Sequence, residues 1–188
     1  MGVEKIKYVA YGSNLLTERL TAMGRVPSAK FIEKLKITGW KLRFNKKSKD
    51  GSGKCNIVKG SETDYVWGAV YELNKNEKTK LDGAEGKGTD KGDYKEKNLS
   101  ELTKVGNHKD IFIYIADANQ EDIPPYLWYK CYVLLGMIQK GFPSEDICKI
   151  YKWTTMDVSG DTTNGEKQRE EKGRKEYIEI IKKILEKK

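Results

Sequence analysis

The sequence is poor in the residues on which many catalytic and metal sites depend. It contains one histidine and three cysteines among 188 residues. Cys55, Cys131 and Cys148 are odd in number and far apart, which argues against a disulfide framework and against a cysteine-based zinc site. This usage is typical of a reducing, cytoplasmic setting, and small buried hydrophobic side chains are the simplest interpretation of all three. His108 lies in a turn-like stretch with nothing nearby to complete a Ser-His-Asp or Cys-His pair.

Long apolar runs and nucleotide fingerprints are also missing. No run approaches the roughly 20 apolar residues of a membrane span, and the first residues, MGVEKIKYVAYG, lack the regions of a secretory signal peptide. The stretch GAEGKGT at 83–89 has the wrong spacing for a P-loop, and no glycine pattern makes Ser13 a nucleophile elbow. We therefore expect no membrane contact, no metal and no cofactor, and any catalysis must use carboxylates, backbone amides and tyrosines.

Positive charge is in excess, but it is of the kind found on solvated surfaces. Lysine and arginine total 36 against 28 acidic residues, a formal net charge of +8. The lysines are mixed with acidic residues, and arginine, which favours planar recognition of bases and phosphates, is scarce. We therefore do not expect nucleic acid as the partner. A noncatalytic basic binding module stays open as an interpretation from another functional class.

Strand patterns dominate the first two thirds of the chain and helical patterns the last third. The run at 31–44 alternates around Gly39, and Gly68 interrupts a strand at 65–73, which indicates a bulge or a close backbone approach. A short helix is predicted from about residue 74 to near Gly86, and a buried helix before Gly141. This order predicts an α+β fold, with a mostly antiparallel or mixed sheet curling into a small β-barrel flanked by helices.

The chain is predicted to form a single domain over residues 1–188. Its length suits one domain, and no linker is long enough to separate two. Residues 164–188 read as a terminal amphipathic helix that packs on this domain. Its apolar stripe consists of Tyr177, Ile181, Ile184 and Leu185.

One short stretch poses the question of function. In YVAYGSNLL, residues 8–16, a strand pattern stops at Gly-Ser-Asn and a helical pattern follows at once. Such a turn can point consecutive backbone N–H groups into one concavity, and the helix adds the positive end of its dipole. An ordinary turn, a phosphate cradle and a pocket for a charged small molecule are all compatible with the pattern.

Four motifs in a fixed order narrow this choice. They are YVAYGSNL with TERL shortly after it, YVWGAVYEL at 65–73, LDGAEG at 81–86 and PPYLWYK at 124–130. Their order and approximate spacing closely resemble the γ-glutamylcyclotransferase family from Tyr8 to about Trp153. The resemblance implies a compact barrel flanked by helices that releases 5-oxoproline from γ-glutamyl compounds.

The resemblance also implies roles for particular residues. Glu85 becomes the acid–base, and the expectation is that it is largely buried beside aromatic side chains with a raised pKa. On chemistry alone, Asp82, Asp90 and Asp93 have similar standing, and Tyr126 and Tyr132 rival Tyr129. The implied substrate-binding residues are Tyr8, Ala10, Tyr11, Gly12, Ser13, Asn14 and Tyr129.

The sequence departs from the family directly after Glu85. Residues 86–93 are unusually rich in glycine and lysine, and Tyr94 is the candidate for the tyrosine that follows in the family. A basic loop there would favour leaving groups that carry a carboxylate. Cyclotransferases of the same fold that act on γ-glutamylamines or on another γ-glutamyl metabolite remain the alternative. The sequence leaves open whether the protein is a monomer or a homodimer.

Overall fold

The computed structural model describes residues 2–86, 94–103, 110–117, 121–156 and 164–185. His108, Asp90, Asp93 and the Gly/Lys-rich loop after Gly86 lie outside these residues. The strands are β1 (Lys5–Ala10), β2 (Lys30–Thr38), β3 (Trp40–Lys47), β4 (Gly53–Lys59), β5 (Tyr65–Asn74), β6 (Tyr94–Asn98) and β7 (Ile111–Ala116). The α-helices are α1 (Thr17–Leu20), α2 (Lys78–Ala84), α3 (Leu127–Gln139), α4 (Ser144–Tyr151) and α5 (Asn164–Leu185).

The predicted α+β class with a mixed sheet is confirmed, but the closed barrel is not found among the strands that the structure describes. Five strands form one sheet in the order β2-β5-β1-β7-β6, while β3 and β4 form a separate hairpin. Of the pairs in the large sheet, β1 with β7 is parallel and the others are antiparallel. Gly39, with φ of 80°, turns the chain out of β2 into β3. The sheet therefore keeps edges at β2 and β6.

Strand β1 lies at the centre of this sheet, and the turn with the sequence Gly-Ser-Asn follows directly after its end. Val9 and Ala10 are fully buried, and Ala10 is paired with Ala69 of β5. A Cβ atom added to Gly68 of β5 would lie 2.6 Å from Cγ1 of Val9. A close approach, one of the two possibilities predicted at this glycine, is therefore found, and the atom that approaches belongs to the side chain of Val9.

Helix α3 covers the turn that follows β1. Most of its residues are buried, as its apolar sequence predicts, and Gly141 follows it with φ of 63°. A Cβ atom on Gly136 would come within 2.5 Å of the Leu15 Cβ and of the Leu16 backbone nitrogen. The glycine lets the helix lie directly against the turn.

Helix α5 forms over Asn164–Leu185 and contacts α3. Gly173 lies against Trp128, where an added Cβ atom would be 2.7 Å from the Cα atom, and the Cys131 thiol donates to the Gly173 carbonyl. The side chains of Tyr177, Ile181, Ile184 and Leu185 are outside the described part, so packing through that stripe stays a prediction. None of the helices within the described residues is long and apolar enough to cross a membrane.

Candidate active site

The strand-to-helix turn after β1 builds one wall of a small cavity. Strand β1 ends at Ala10, and a 3₁₀ helix over Ser13–Leu15 starts after Gly12. The Leu15 amide donates to the Gly12 carbonyl at 2.9 Å, which closes the turn. The first N–H groups of any helix have no partner within it, so this turn presents donors as well as the buried side chains of Ser13 and Asn14.

The cavity gathers almost all of the sequence-predicted site residues. Its volume is about 30 Å³. Ala10 is fully buried and is not among the residues that line it, so its predicted place in the site is not found. The lining consists of Tyr8, Tyr11, Gly12, Ser13, Asn14, Cys55, Glu85, Tyr94, Tyr114 and Tyr129.

Glu85 enters this cavity from the end of α2. Its amide donates to the Leu81 carbonyl at 3.0 Å, and Gly86 beyond it has φ of 72°, which ends the helix. The Asn14 side-chain nitrogen donates to Oε1 of Glu85 at 2.6 Å. The residue as a whole is half-buried, less buried than expected from the sequence, and its carboxylate lines the cavity.

Opposing influences act on the Glu85 carboxyl. Burial has the largest influence and raises the pKa of Glu85 above its ordinary value, as was expected from the sequence. The positive charge of Arg25, the hydrogen bond from Asn14 and the charges of Arg19 and Lys46 each act to lower the pKa. A raised pKa makes a carboxyl better suited to both accepting and returning a proton than an ordinary glutamate is.

The other acidic and tyrosine rivals have different environments. Asp82 pairs with Lys78 at 2.9 Å and accepts a hydrogen bond from the Tyr114 hydroxyl. The Tyr126 hydroxyl donates to the Asp50 carbonyl at 3.2 Å, and the ring of Tyr132 lies under the Arg19 guanidinium. None of Asp82, Tyr126 and Tyr132 lines the cavity.

The tyrosines of the cavity act as fixed, neutral hydroxyl groups. Burial raises the pKa of Tyr8, Tyr11, Tyr94 and Tyr129 well above the ordinary value. The Tyr11 hydroxyl donates to the Tyr114 carbonyl at 2.5 Å. Their side chains line the cavity beside the Glu85 carboxylate.

Three strands contribute residues that the sequence-based reasoning did not assign to the site. Cys55 of β4 donates its amide to the Tyr129 hydroxyl at 3.1 Å and accepts from Tyr94 at its carbonyl. Burial raises the pKa of its thiol to about 12, so this group is neutral, as expected for a buried hydrophobic cysteine. Tyr114 comes from β7 and Tyr94 from β6. Of these residues, the sequence had pointed only to Tyr94, as the tyrosine that follows the Glu85 motif.

Arginines behind the turn were also missed. Nε of Arg19 donates to the Ser13 hydroxyl at 3.0 Å, and Nη2 of Arg25 donates to Oδ1 of Asn14 at 2.8 Å. A usable signal was present, because arginine is rare in this sequence and both residues closely follow the turn. Each of the two polar side chains of the turn is thereby held by one guanidinium.

A larger cavity, of about 440 Å³, shares Tyr11 with the small one. The carboxylate of Asp146 in this larger cavity accepts hydrogen bonds from Tyr65, Trp67 and Lys149. These bonds hold its pKa below the ordinary value despite partial burial. It is therefore less suited to proton transfer than Glu85, and the smaller cavity is the better candidate for catalysis.

Comparison with known proteins agrees with the four motifs. The model of the AIG2-like family matches residues 65–150. A γ-glutamylcyclotransferase of Bos taurus is 33% identical over 161 residues, 84% of this chain and 83% of the relative, and one of Homo sapiens is 34% identical over 146 residues, 76% and 75%. A solved structure of a γ-glutamyl cyclotransferase has a TM-score of 0.72 at 30% identity, covering 90% of this chain and 99% of that one. The chain belongs to the γ-glutamylcyclotransferase family of enzymes.

Proposed function

We propose that this protein releases 5-oxoproline from γ-glutamyl-amino acids, with Glu85 as the general acid–base. The observation that carries this proposal is the hydrogen bond between Asn14 and Glu85 inside a tyrosine-lined cavity at the end of β1. It joins the turn and the carboxylate that the family resemblance assigns to substrate binding and to proton transfer. Tyr8, Tyr11, Gly12, Ser13 and Tyr129 are proposed to surround the γ-glutamyl group.

The reaction requires neither a protein nucleophile nor a metal. The α-amine of the substrate attacks its own γ-carbonyl carbon, forming a five-membered ring, and the bond from that carbon to the leaving nitrogen then breaks. Glu85 first removes a proton from the α-ammonium and later returns it to the leaving amine. The products are 5-oxoproline and a free amino acid, and no redox step or cofactor is involved.

Proton transfer sets the main energetic requirement. An α-ammonium near pKa ~8 and an ordinary glutamate near ~4.3 differ by almost four units, about 5 kcal/mol uphill. Burial raises the pKa of Glu85 and would lower that of a bound ammonium, which reduces the difference from both sides. Backbone N–H groups at Gly12, Ser13 and Asn14 are proposed to bind the substrate's anionic groups or the oxyanion.

The leaving group is proposed to be an amino acid rather than an amine. The support is the basic composition of residues 86–93, which would favour a carboxylate. Rates with γ-glutamyl-amino acids and with γ-glutamylamines should be compared directly. A clear preference for the amines would assign the protein to the alternative substrate class. The proposed partner in either case is a small molecule, in a cytoplasmic setting and without nucleic acid.

The decisive experiment follows 5-oxoproline release from γ-glutamyl-alanine by the parent protein and by Glu85→Gln. We expect 5-oxoproline release by the parent and almost none by Glu85→Gln, provided that thermal unfolding shows this variant to be folded. Glu62→Gln, which removes an exposed carboxylate, is the matched control and should keep parental activity. Equal activity in the parent and in Glu85→Gln would show that the base is a different group. Inactivity of the parent towards γ-glutamyl-amino acids and γ-glutamylamines alike would favour the binding-module interpretation.

A further inference from the structure

Arg25 and Glu85 are connected through the two ends of one carboxamide. Nη2 of Arg25 donates to Oδ1 of Asn14 at 2.8 Å, while Nδ2 of Asn14 donates to Oε1 of Glu85 at 2.6 Å. A guanidinium can only donate hydrogen bonds and a carboxylate can only accept them. The two neighbours therefore determine the orientation of the Asn14 side chain, with its oxygen towards Arg25 and its nitrogen towards Glu85.

We propose that Arg25 is a positioning residue for the reaction: it fixes the Asn14 carboxamide in this orientation and so holds Glu85 in place and ionised. The inference rests on the proposed function, in which Glu85 is the base. Arg25 does not line the cavity, so it acts through Asn14 and through its charge rather than by touching the substrate.

The bonding of Arg25 itself fits this role. No ion pair joins it to a carboxylate within the part of the chain that the structure describes, and its buried Nε has no hydrogen-bond partner there. A buried donor without a partner costs folding free energy. The guanidinium is thus placed for its contact with Asn14 and for its charge near Glu85, and its own bonding is left incomplete.

The surroundings of Glu85 make the charge of Arg25 important. Among the groups that lower the pKa of Glu85, Arg25 is the largest influence, followed by Asn14, Arg19 and Lys46. The neighbouring tyrosines are neutral and supply no positive charge. The titratable and polar groups that face this carboxyl from the surrounding elements are Tyr8, Tyr11, Asn14, Arg19, Arg25, Lys46, Tyr94 and Tyr114.

Loss of Arg25 would leave Oδ1 of Asn14 without its donor and would remove a positive charge near Glu85, while Nδ2 of Asn14 would still lie beside Glu85 and the Tyr8 hydroxyl. The carboxamide would then be held less firmly, and the loss of a positive charge near a carboxyl group favours its protonated form. A protonated Glu85 cannot take a proton from the substrate. The expected result is a slower reaction at neutral pH, with substrate binding much less affected.

The first test measures kcat, KM and their pH dependence for Arg25→Met and Arg25→Lys. For Arg25→Met we expect kcat at pH 7 to fall roughly ten- to hundredfold, with a smaller change in KM and the acidic limb of the profile displaced upwards. Arg25→Lys should recover much of this loss, since an ammonium keeps both a donor and the charge. Arg43→Met is the matched control, because Arg43 pairs with Asp122 away from the cavity, and it should behave as the parent. A parental profile, or a rise in KM alone, for Arg25→Met would overturn the proposal.

A double-mutant cycle tests the route through Asn14. In the background of Asn14→Ala, the further change Arg25→Met should cost much less than it does in the parent. An equal cost in both backgrounds would overturn the positioning role.

A measurement that does not require activity separates this inference from the proposed function. The Glu85 carboxyl carbon, labelled with ¹³C and assigned by its absence in Glu85→Gln, is titrated by NMR. We expect its midpoint to lie at higher pH in Arg25→Met than in the parent and at an intermediate pH in Arg25→Lys. A parent that releases no 5-oxoproline would be a failure of the proposed function. An unmoved midpoint would overturn the role of Arg25, whatever the reaction is.

Discussion

The carboxamide nitrogen of Asn14 lies 2.6 Å from Oε1 of Glu85, although the two residues are 71 positions apart in the chain. Asn14 belongs to the turn after β1 and Glu85 to the end of α2. A hydrogen bond to an ionised acceptor is stronger than a neutral one and stabilises the charged form. Burial has the opposite effect and is the stronger of the two, because the pKa of Glu85 remains above its ordinary value.

The substitution Asn14→Asp tests this balance without changing the size of the side chain. It replaces the donor beside Glu85 by a second carboxyl, and two carboxyls in contact cannot both ionise easily. We expect the acidic limb of the pH–rate profile to move to higher pH and kcat at pH 7 to fall by roughly 10- to 100-fold. The measurement is 5-oxoproline release across pH 4 to 9.

The control for this substitution is Asn74→Asp. Asn74 lies at the end of β5, where its side-chain oxygen accepts a hydrogen bond from Lys5, and a carboxylate can keep that role. This variant should retain the parental pH profile. A parental profile for Asn14→Asp itself would mean that the contact between Asn14 and Glu85 does not govern the base.

The stability of Glu85→Gln should depend on pH in a defined direction. Because burial raises the folded-state pKa above the unfolded value, the folded protein binds more protons between those two values. The parent therefore loses stability as the pH rises through this window, and ionised Glu85 remains a cost at neutral pH. We expect Glu85→Gln to melt a few degrees higher than the parent at pH 7, where each kcal/mol corresponds to about 2–4 °C.

This difference should shrink as the pH falls below the ordinary glutamate pKa, near ~4.3. Melting curves by circular dichroism at several pH values provide the measurement, with Glu62→Gln as an exposed control. A lower melting temperature for Glu85→Gln at pH 7 would mean that the bond from Asn14 outweighs the cost of burying the charge.

Local patterns predicted the parts of the site that are determined by neighbouring residues. The alternation before Gly12 predicted a strand that stops at the turn, and β1 ends at Ala10. Gly68 was predicted from its position within a strand, and its close approach to Val9 is confirmed. The helix before Gly141 was predicted from its apolar composition. In each case a few consecutive residues determine the local conformation of the backbone.

Long-range pairing and side-chain direction could not be predicted in the same way. Tyr114 enters the cavity from β7, which pairs with the distant strand β1, and Cys55 enters it from the separate β3–β4 hairpin. Arg25 reaches Asn14 only because the turn after α1 brings it back towards β1. The barrel was expected from the order of strand and helix patterns and from the family resemblance, whereas closure depends on hydrogen bonding between strands distant in sequence. The candidate base was singled out by a family motif and by no property of its own local sequence.

The contact between α3 and the turn leads to a prediction about Gly136. In an ordinary helix interior, alanine is more stable than glycine by about 1 kcal/mol. At Gly136, however, an added Cβ atom would lie 2.5 Å from the Leu16 nitrogen and 2.7 Å from the Leu15 carbonyl carbon, and backbone atoms cannot move aside cheaply. We expect Gly136→Ala to lower the free energy of unfolding by about 1–3 kcal/mol and to reduce activity by displacing the turn that carries Asn14.

Gly83→Ala in α2 is the matched control for Gly136→Ala. An added Cβ atom on Gly83 would meet nothing within 4 Å, so the helix preference for alanine should act alone there. We expect this variant to be more stable than the parent by about 0.5–1 kcal/mol in urea unfolding. The opposite signs expected for the same chemical change separate close packing from helix propensity. If Gly136→Ala were also more stable than the parent, this would mean that α3 can move away from the turn. The position of Asn14 would then not depend on this contact.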